Sequence, residues 1–239
     1  ATINGKKYEL QVYNILKKTY LKNYKFNTQK TNELGGCSSK NDLECNLGNH
    51  QNIVGIEIKK CKTPDWMQCS IQKKNKYWSG NKNCKIPVKA QLIFNKILRQ
   101  KKLFNNKYPH FINQKITYDQ LKKIKKKQNW KDQYFNIPND TIKNIYKEKG
   151  CYYIQVSDYG LFHLGNDICN FKVPEFIIDQ KLRIRIKIHQ RYNRNGFCTS
   201  SIMASCQPKD IKKLPRSKYS LDNIKNLPKN LHFNKYFKY

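Results

Sequence analysis

Carboxylates are scarce in this sequence: 16 Asp and Glu stand against 48 Lys and Arg in 239 residues, a formal charge of +32. A charge of that size repels itself unless a polyanion binds. That argues against an ordinary metabolic enzyme and makes nucleic acid the expected partner. A long apolar run is also missing, as is a strongly amphipathic basic helix ending in exposed Trp or Phe, which leaves a membrane surface the weaker rival. No secretory apolar segment follows Ala1 and no lipidation signal closes Phe237-Lys238-Tyr239. The expectation is therefore an intracellular protein, cytoplasmic or nuclear, with no membrane partner. The nine cysteines include no C-x-x-C and are odd in number. Cys37/Cys45, Cys61/Cys69 and Cys198/Cys206 share an eight-residue spacing, which fits no zinc-ligand pattern, so reduced thiols are the simpler reading. No period of about 20–50 residues recurs, which excludes a repeat fold.

What is present supports a folded domain. Hydrophobic residues make up 38% and aromatics 13%, enough for one large domain or a core with an elaborated second half. Lys6 to Leu21 reads as a helix whose stripe is Tyr8, Val12, Ile15, Leu16 and Thr19, with Glu9 beside it. Gly35-Gly36 marks a turn. Asp42 to Leu47 alternates as a strand, Gly48-Asn49 and Gln51-Asn52 form a hairpin connection, and Ile53 to Lys59 returns as a β-branched strand. Period two puts Gly55, Glu57 and Lys59 on one face of it. Thr63-Pro64-Asp65 predicts a helix start, with a Thr cap, Pro at the first position and an acid against the dipole; the helix runs to about Lys76 and aligns Gln68 with Gln72. Val88 to Leu103, Tyr118 to Gln128 and a segment from Asp140 read as helices. Cys151 to Val156, Gly160 to Leu164 and Lys181 to His189 read as strands, and the tail from Pro208 as loosely structured.

The chemistry concentrates in one place. Three of the sixteen acids, Asp42, Glu44 and Glu57, fall within sixteen positions. Glu57 and Lys59 lie about 7 Å apart along their strand, and an adjacent antiparallel strand can bring Asp42 to the same end. Carboxylates held together repel unless a cation neutralises them. A few oxygen ligands with room for water and phosphate suit Mg²⁺ better than Zn²⁺.

A helix bearing Glu9, an acid at Asp42, and Glu57-x-Lys59 on the next strand resemble the PD-(D/E)xK nuclease superfamily, with Asn41 where the proline of that motif would stand. The resemblance covers roughly residues 6–80 and extends through a later core strand at Cys151 to Val156. It implies an α/β, restriction-endonuclease-like αβββαβ core with a mixed central sheet, elaborated by a helical insertion and C-terminal strands. On that reading residues 1–175 are the nuclease core, with the insertion at about 82–149, and 176–239 form a basic strand and tail region. The implied activity is Mg²⁺-dependent hydrolysis of DNA phosphodiester bonds, with Mn²⁺ as a substitute. Asp42, Glu57 and Glu9 would hold metal, Lys59 would act on the attacking water or the developing oxyanion, and Gln68 would hold substrate or water. The large elaboration points to a type II restriction-like enzyme on double-stranded DNA, and a palindromic site would bring a symmetric homodimer. The alternatives are a junction-resolving or repair nuclease, a non-enzymatic DNA-packaging protein with a degenerate core, or a plain cross-strand ion-pair ladder at Asp42, Glu57 and Lys59. Asp158 with Asp179-Gln180-Lys181 fits the bare motif too, but Asp179 follows Phe176-Ile177-Ile178 and leads directly into an Arg-rich strand, where a salt bridge is the simpler role.

Arg183, Arg185, Lys187 and His189 alternate with Leu182, Ile184, Ile186 and Ile188, so one strand face offers four basic groups to phosphates. A solvated strand face is the alternative. The run Lys122 to Lys127, including Lys123 and Lys126, fits phosphate contact and a solvated helix face equally.

Overall fold

A computed structural model describes residues 3–20, 41–47, 52–63, 65–81, 84, 86–112, 114–189, 197–229, 231 and 233–238. Gly35-Gly36, Cys37, Gly48-Asn49 and Gln51 lie outside the described residues. The order of elements is α1 (Ile3–Tyr20), β1 (Leu43–Leu47), β2 (Val54–Lys59), β3 (Met67–Lys74), β4 (Tyr77–Gly80), α2 (Val88–Arg99), β5 (Ile116–Thr117), α3 (Tyr118–Lys125), β6 (Gln133–Ile137), α4 (Thr141–Glu148), β7 (Cys151–Val156), β8 (Gly160–His163), β9 (Gln180–His189), β10 (Phe197–Pro208) and β11 (Phe233–Lys238). The protein is mixed α/β with two sheets. One is a mixed sheet in the order β11-β1-β2-β7-β8; the other is curled and antiparallel, in the order β4-β3-β10-β9-β6, with β5 added to β10.

β2 is the strand that positions the site. It pairs antiparallel with β1 and parallel with β7. Val54 to Ile58 are all buried, as a central strand covered on both faces requires. One face carries Val54, Ile56 and Ile58 against Tyr8, Val12 and Leu16 of α1, so three members of the expected helical stripe dock the helix, while Ile15 is partly exposed and Thr19 is exposed. Two hydrogen bonds fix α1 further: Tyr8 donates to Asp222 Oδ2 (2.7 Å) and accepts from Gln155 Nε2 (3.1 Å). The other face of β2 carries Gly55, Glu57 and Lys59 toward α4. Beyond it, Phe94 and Leu98 of α2 and Ile142, Ile145 and Tyr146 of α4 fill the space up to Leu182, Ile184, Ile186, Ile202 and Ala204 of the second sheet.

Two expectations change. The helix predicted from Thr63 is the strand pair β3–β4, turned at Asn75 with φ 51°. Met67, Cys69 and Ile71 are buried while Gln68, Ser70 and Gln72 are partly exposed. Pairing with β10 thus imposes period two and outweighs a local capping signal. The stretch expected as a helical insertion does hold α2, α3 and α4, but β6 within it joins β9 of the second sheet. The tail is also ordered differently from expectation. Leu214, Leu221 and Leu231 are buried, Gln155 hydrogen-bonds Ser220 Oγ and Leu221 N at 2.9 Å each, and β11 pairs with β1. Among the described residues, no helix is long and apolar enough to cross a membrane.

Candidate active site

Asp42 precedes β1, Glu57 and Lys59 lie on β2, and the backbone register brings them into direct contact. The Lys59 ammonium is 3.0 Å from Asp42 Oδ2 and 2.5 Å from Glu57 Oε1, and it donates to the Ile58 carbonyl at 3.1 Å. Asp42 Oδ2 also accepts from the Ile58 amide at 2.9 Å, so the strand's own backbone orients the carboxylate. Glu9 enters from α1, 7% exposed. Among the described residues its carboxylate makes no hydrogen bond or ion pair, yet it is close enough to feel the charges of Asp42, Lys59 and Glu57.

Three further residues, Lys149, Tyr146 and Cys151, complete the site, and sequence reasoning missed their part in it. Lys149, just past α4, places its ammonium 3.0 Å from Glu57 Oε2 with 1% of its side chain exposed. The Tyr146 ring lies beside both lysines, 5.6 Å from Lys59 Nζ and 5.4 Å from Lys149 Nζ, and its hydroxyl donates to the Trp66 carbonyl at 2.8 Å. Cys151 donates to Asn41 Oδ1 at 3.0 Å and lies 3.6 Å from Glu57 Oε2. Gly55 makes this closeness feasible: a Cβ there would meet Asn41 Nδ2 and the Gly150 carbonyl at 2.4 Å. The Gly55 amide donates to that same carbonyl at 3.2 Å, which ties the end of α4 to β2. The one sequence signal for Lys149 was its place at a helix end followed by Gly150, whose φ of +81° closes the helix in the usual glycine manner.

The electrostatics of the three carboxylates differ. Burial pushes the Glu57 carboxyl up, but the ammonium groups of Lys149 and Lys59 overcome it and hold the group down at about 2. Asp42 is raised, first by burial and then by the charge of Glu57, against the pull of Lys59 and Lys149. Glu9 is raised to about 7 by burial and then by Asp42. Lys59 and Lys149 are raised despite their burial because the carboxylates favour the ammonium form. Three carboxylates therefore face two ammonium groups, and full ionisation leaves one negative charge uncompensated. Among the described residues no three His, Cys, Asp or Glu side chains converge as a ready-made metal cage. The donor chemistry nevertheless fits a hard divalent cation: the donors are oxygens only, the charge balance is negative, and a cationic group already bridges Asp42 and Glu57.

Other expected residues lie elsewhere. Gln68 is on β3 in the second sheet, where its Oε1 accepts from Arg185 Nη2 at 3.4 Å; it is not among the partners of Asp42, Glu57 or Lys59. Arg183 and Arg185, expected to face phosphates, are committed to internal acids. Arg183 pairs with Asp132 at 2.5 Å and Asp65 at 3.3 Å, and Arg185 with Asp65 at 3.0 Å. The antiparallel register explains this, since Arg183 stands opposite Tyr134 of β6, with Asp132 just before that strand. His189 lies 2.8 Å from Ser201 Oγ. Lys187, Lys123 and Lys126 are exposed. Comparison with protein-family models, curated proteins and solved structures finds no match to this chain.

Proposed function

We propose that this chain is a Mg²⁺-dependent DNA endonuclease of the PD-(D/E)xK kind, restriction-like and acting on double-stranded DNA. The observation that carries the reading is the Lys59 ammonium bridging Asp42 Oδ2 and Glu57 Oε1 at the end of a buried central strand. The surrounding order also supports it. Helix α1 packs on the mixed sheet, β1 and β2 pair antiparallel, and α4 leads into β7, parallel to β2. On this reading β3 to β6 are an insertion between β2 and α4, and β11 takes the strand position beside β1.

Asp42, Glu57 and Glu9 are the residues that would hold the metal. Bound Mg²⁺ lowers the pKa of a water and offsets charge that builds on the phosphorus centre. Lys59 remains an ammonium group, since its neighbours raise its proton affinity. Its role is therefore to orient the attacking water and stabilise the developing oxyanion, rather than to accept a proton. Lys149 and Tyr146 hold Glu57 and Lys59 in place. The formal charge of +32 supplies the attraction for a polyanion, strongest at low salt.

The test is plasmid nicking. Purified protein with Mg²⁺ should convert supercoiled DNA to nicked or linear forms, EDTA should stop it, and Lys59→Ala should cut far more slowly while still binding DNA. A wild-type protein that binds DNA but leaves duplex, branched and single-stranded substrates intact with Mg²⁺ or Mn²⁺ would favour the DNA-packaging reading instead.

A further inference from the structure

Cys69 and Cys84 stand outside the candidate active site, and their sulfurs are 2.8 Å apart, closer than unbonded sulfur atoms pack. Cys69 points from β3 into the core and is fully buried, while Cys84, in the connection from β4 to α2, is half-buried. The connection is anchored on both sides of that thiol. The Cys84 amide donates to Asn81 O at 2.8 Å, and Gln91 Nε2 of α2 donates to the carbonyls of Cys84 (3.2 Å) and Ile86 (3.0 Å). Gly80 ends β4 against Asn95 Oδ1 at 2.8 Å, and a Cβ there would lie 3.4 Å from Cys69 Sγ. The pair is therefore pre-aligned by backbone contacts rather than brought together by chance.

We propose that Cys69 and Cys84 form a reversible dithiol–disulfide site that exchanges with low-molecular-weight disulfides of the glutathione class, independent of the nuclease reading. Cys84 is the attacking thiol and Cys69 the resolving one. The Cys84 thiolate attacks one sulfur of the small disulfide; that S–S bond breaks, and the departing thiolate takes a proton from solvent. The Cys69 thiol gives its proton to solvent and attacks Cys84 Sγ. The mixed disulfide then breaks and the second small thiolate leaves and is protonated. Two protein thiols and one small disulfide become one protein disulfide and two small thiols, with two electrons passing to the reagent. The other thiols among the described residues do not match this environment. Burial raises those of Cys45, Cys61, Cys151, Cys169, Cys198 and Cys206, whereas the hydrogen bond from Cys69 lowers Cys84 to about 7, in the range of reactive thiols. The eight-residue cysteine spacings hid this pair, because the sulfur beside Cys69 belongs to a residue fifteen positions away, across the β3–β4 hairpin.

The experiment equilibrates the full chain in reduced and oxidised glutathione over a range of ratios, traps free thiols by alkylation, and maps peptides by mass spectrometry. Wild type should yield a Cys69–Cys84 linked peptide that disappears in excess reduced glutathione. Cys69→Ser should instead accumulate a glutathione adduct on Cys84, and Cys84→Ser should give neither product. Circular dichroism of both variants checks that they remain folded. Full alkylation of both cysteines in wild type at oxidising ratios, or a link from either to a different cysteine, would overturn the proposal, as would retention of stoichiometric zinc by the pair.

Discussion

The Lys149 ammonium lies 3.0 Å from Glu57 Oε2, across 92 residues of sequence. Together with Lys59 it accounts for both oxygens of that carboxylate. Removing Lys149 leaves the buried Glu57 carboxylate with Lys59 alone and one oxygen without its partner, at a cost near the lower end of the roughly 3–5 kcal/mol for breaking a buried pair. Lys149→Met should therefore lower the unfolding free energy by about 3 kcal/mol in urea, and Lys149→Arg should keep most of it. A loss under about 0.5 kcal/mol would show that the pair contributes little.

Two carboxylates of the site give opposite pH dependences. Glu57 is depressed from 4.5 to about 2, so its stabilisation is present above its unfolded value and is lost as pH falls through the folded one. Glu9 is raised from 4.5 to about 7. Between those values the folded protein holds a proton that the unfolded chain has released, so stability falls as pH rises across that window. The drop is about 3 kcal/mol at most. Urea unfolding in EDTA at pH 5 and pH 8 should show it, Glu9→Gln should flatten it, and Mg²⁺ should recover part of it at the higher pH. A wild-type protein equally stable at both pH values in EDTA would contradict the shift on Glu9.

The pieces of this site that were legible in the sequence share a short path. Glu57 and Lys59 are two apart on a strand whose apolar alternation announces itself, and Asp42 stands immediately before the strand that pairs with it. The α1 stripe was legible for the same reason, because its period is local. Lys149 was not, since its meeting with Glu57 depends on where α4 ends against β2, with β3 to β6 between them in the chain. Gln68 was misplaced because Thr63-Pro64-Asp65 is a good helix start in isolation, while the pairing of β3 with β10 joins residues more than 130 positions apart, such as Gln68 and Ser205. Arg183 was read as exposed because an alternating strand shows which face a side chain takes, not which acid on a neighbouring strand will meet it there.

Gly55 is required by space. Its missing Cβ leaves room for Asn41 and the Gly150 carbonyl, each of which a methyl group would approach to 2.4 Å. Gly55→Ala should destabilise the fold by about 2–3 kcal/mol and weaken DNA cleavage through displacement of Glu57. A variant with unchanged urea midpoint and activity would show that the backbone yields without cost.

The basic groups separate into two classes. Arg183→Ala should act on stability, losing about 2 kcal/mol in urea because Asp65 and Asp132 lose a shared partner that is only partly screened by solvent. Lys123→Gln with Lys126→Gln, by contrast, should leave stability within about 0.5 kcal/mol and flatten the salt dependence of DNA binding. The reverse pattern, in which Arg183→Ala changes the salt slope and not the stability, would place Arg183 on DNA.

The most direct measurement compares wild type with Asp42→Asn on supercoiled plasmid in Mg²⁺, with DNA binding followed in parallel in EDTA. Wild type should nick or linearise the plasmid, and Asp42→Asn should bind with similar affinity but cleave roughly 100-fold more slowly or worse. Equal cleavage by both proteins, or none by wild type on any DNA substrate with Mg²⁺ or Mn²⁺, would contradict the assignment of Asp42, Glu57 and Lys59 as a nuclease centre.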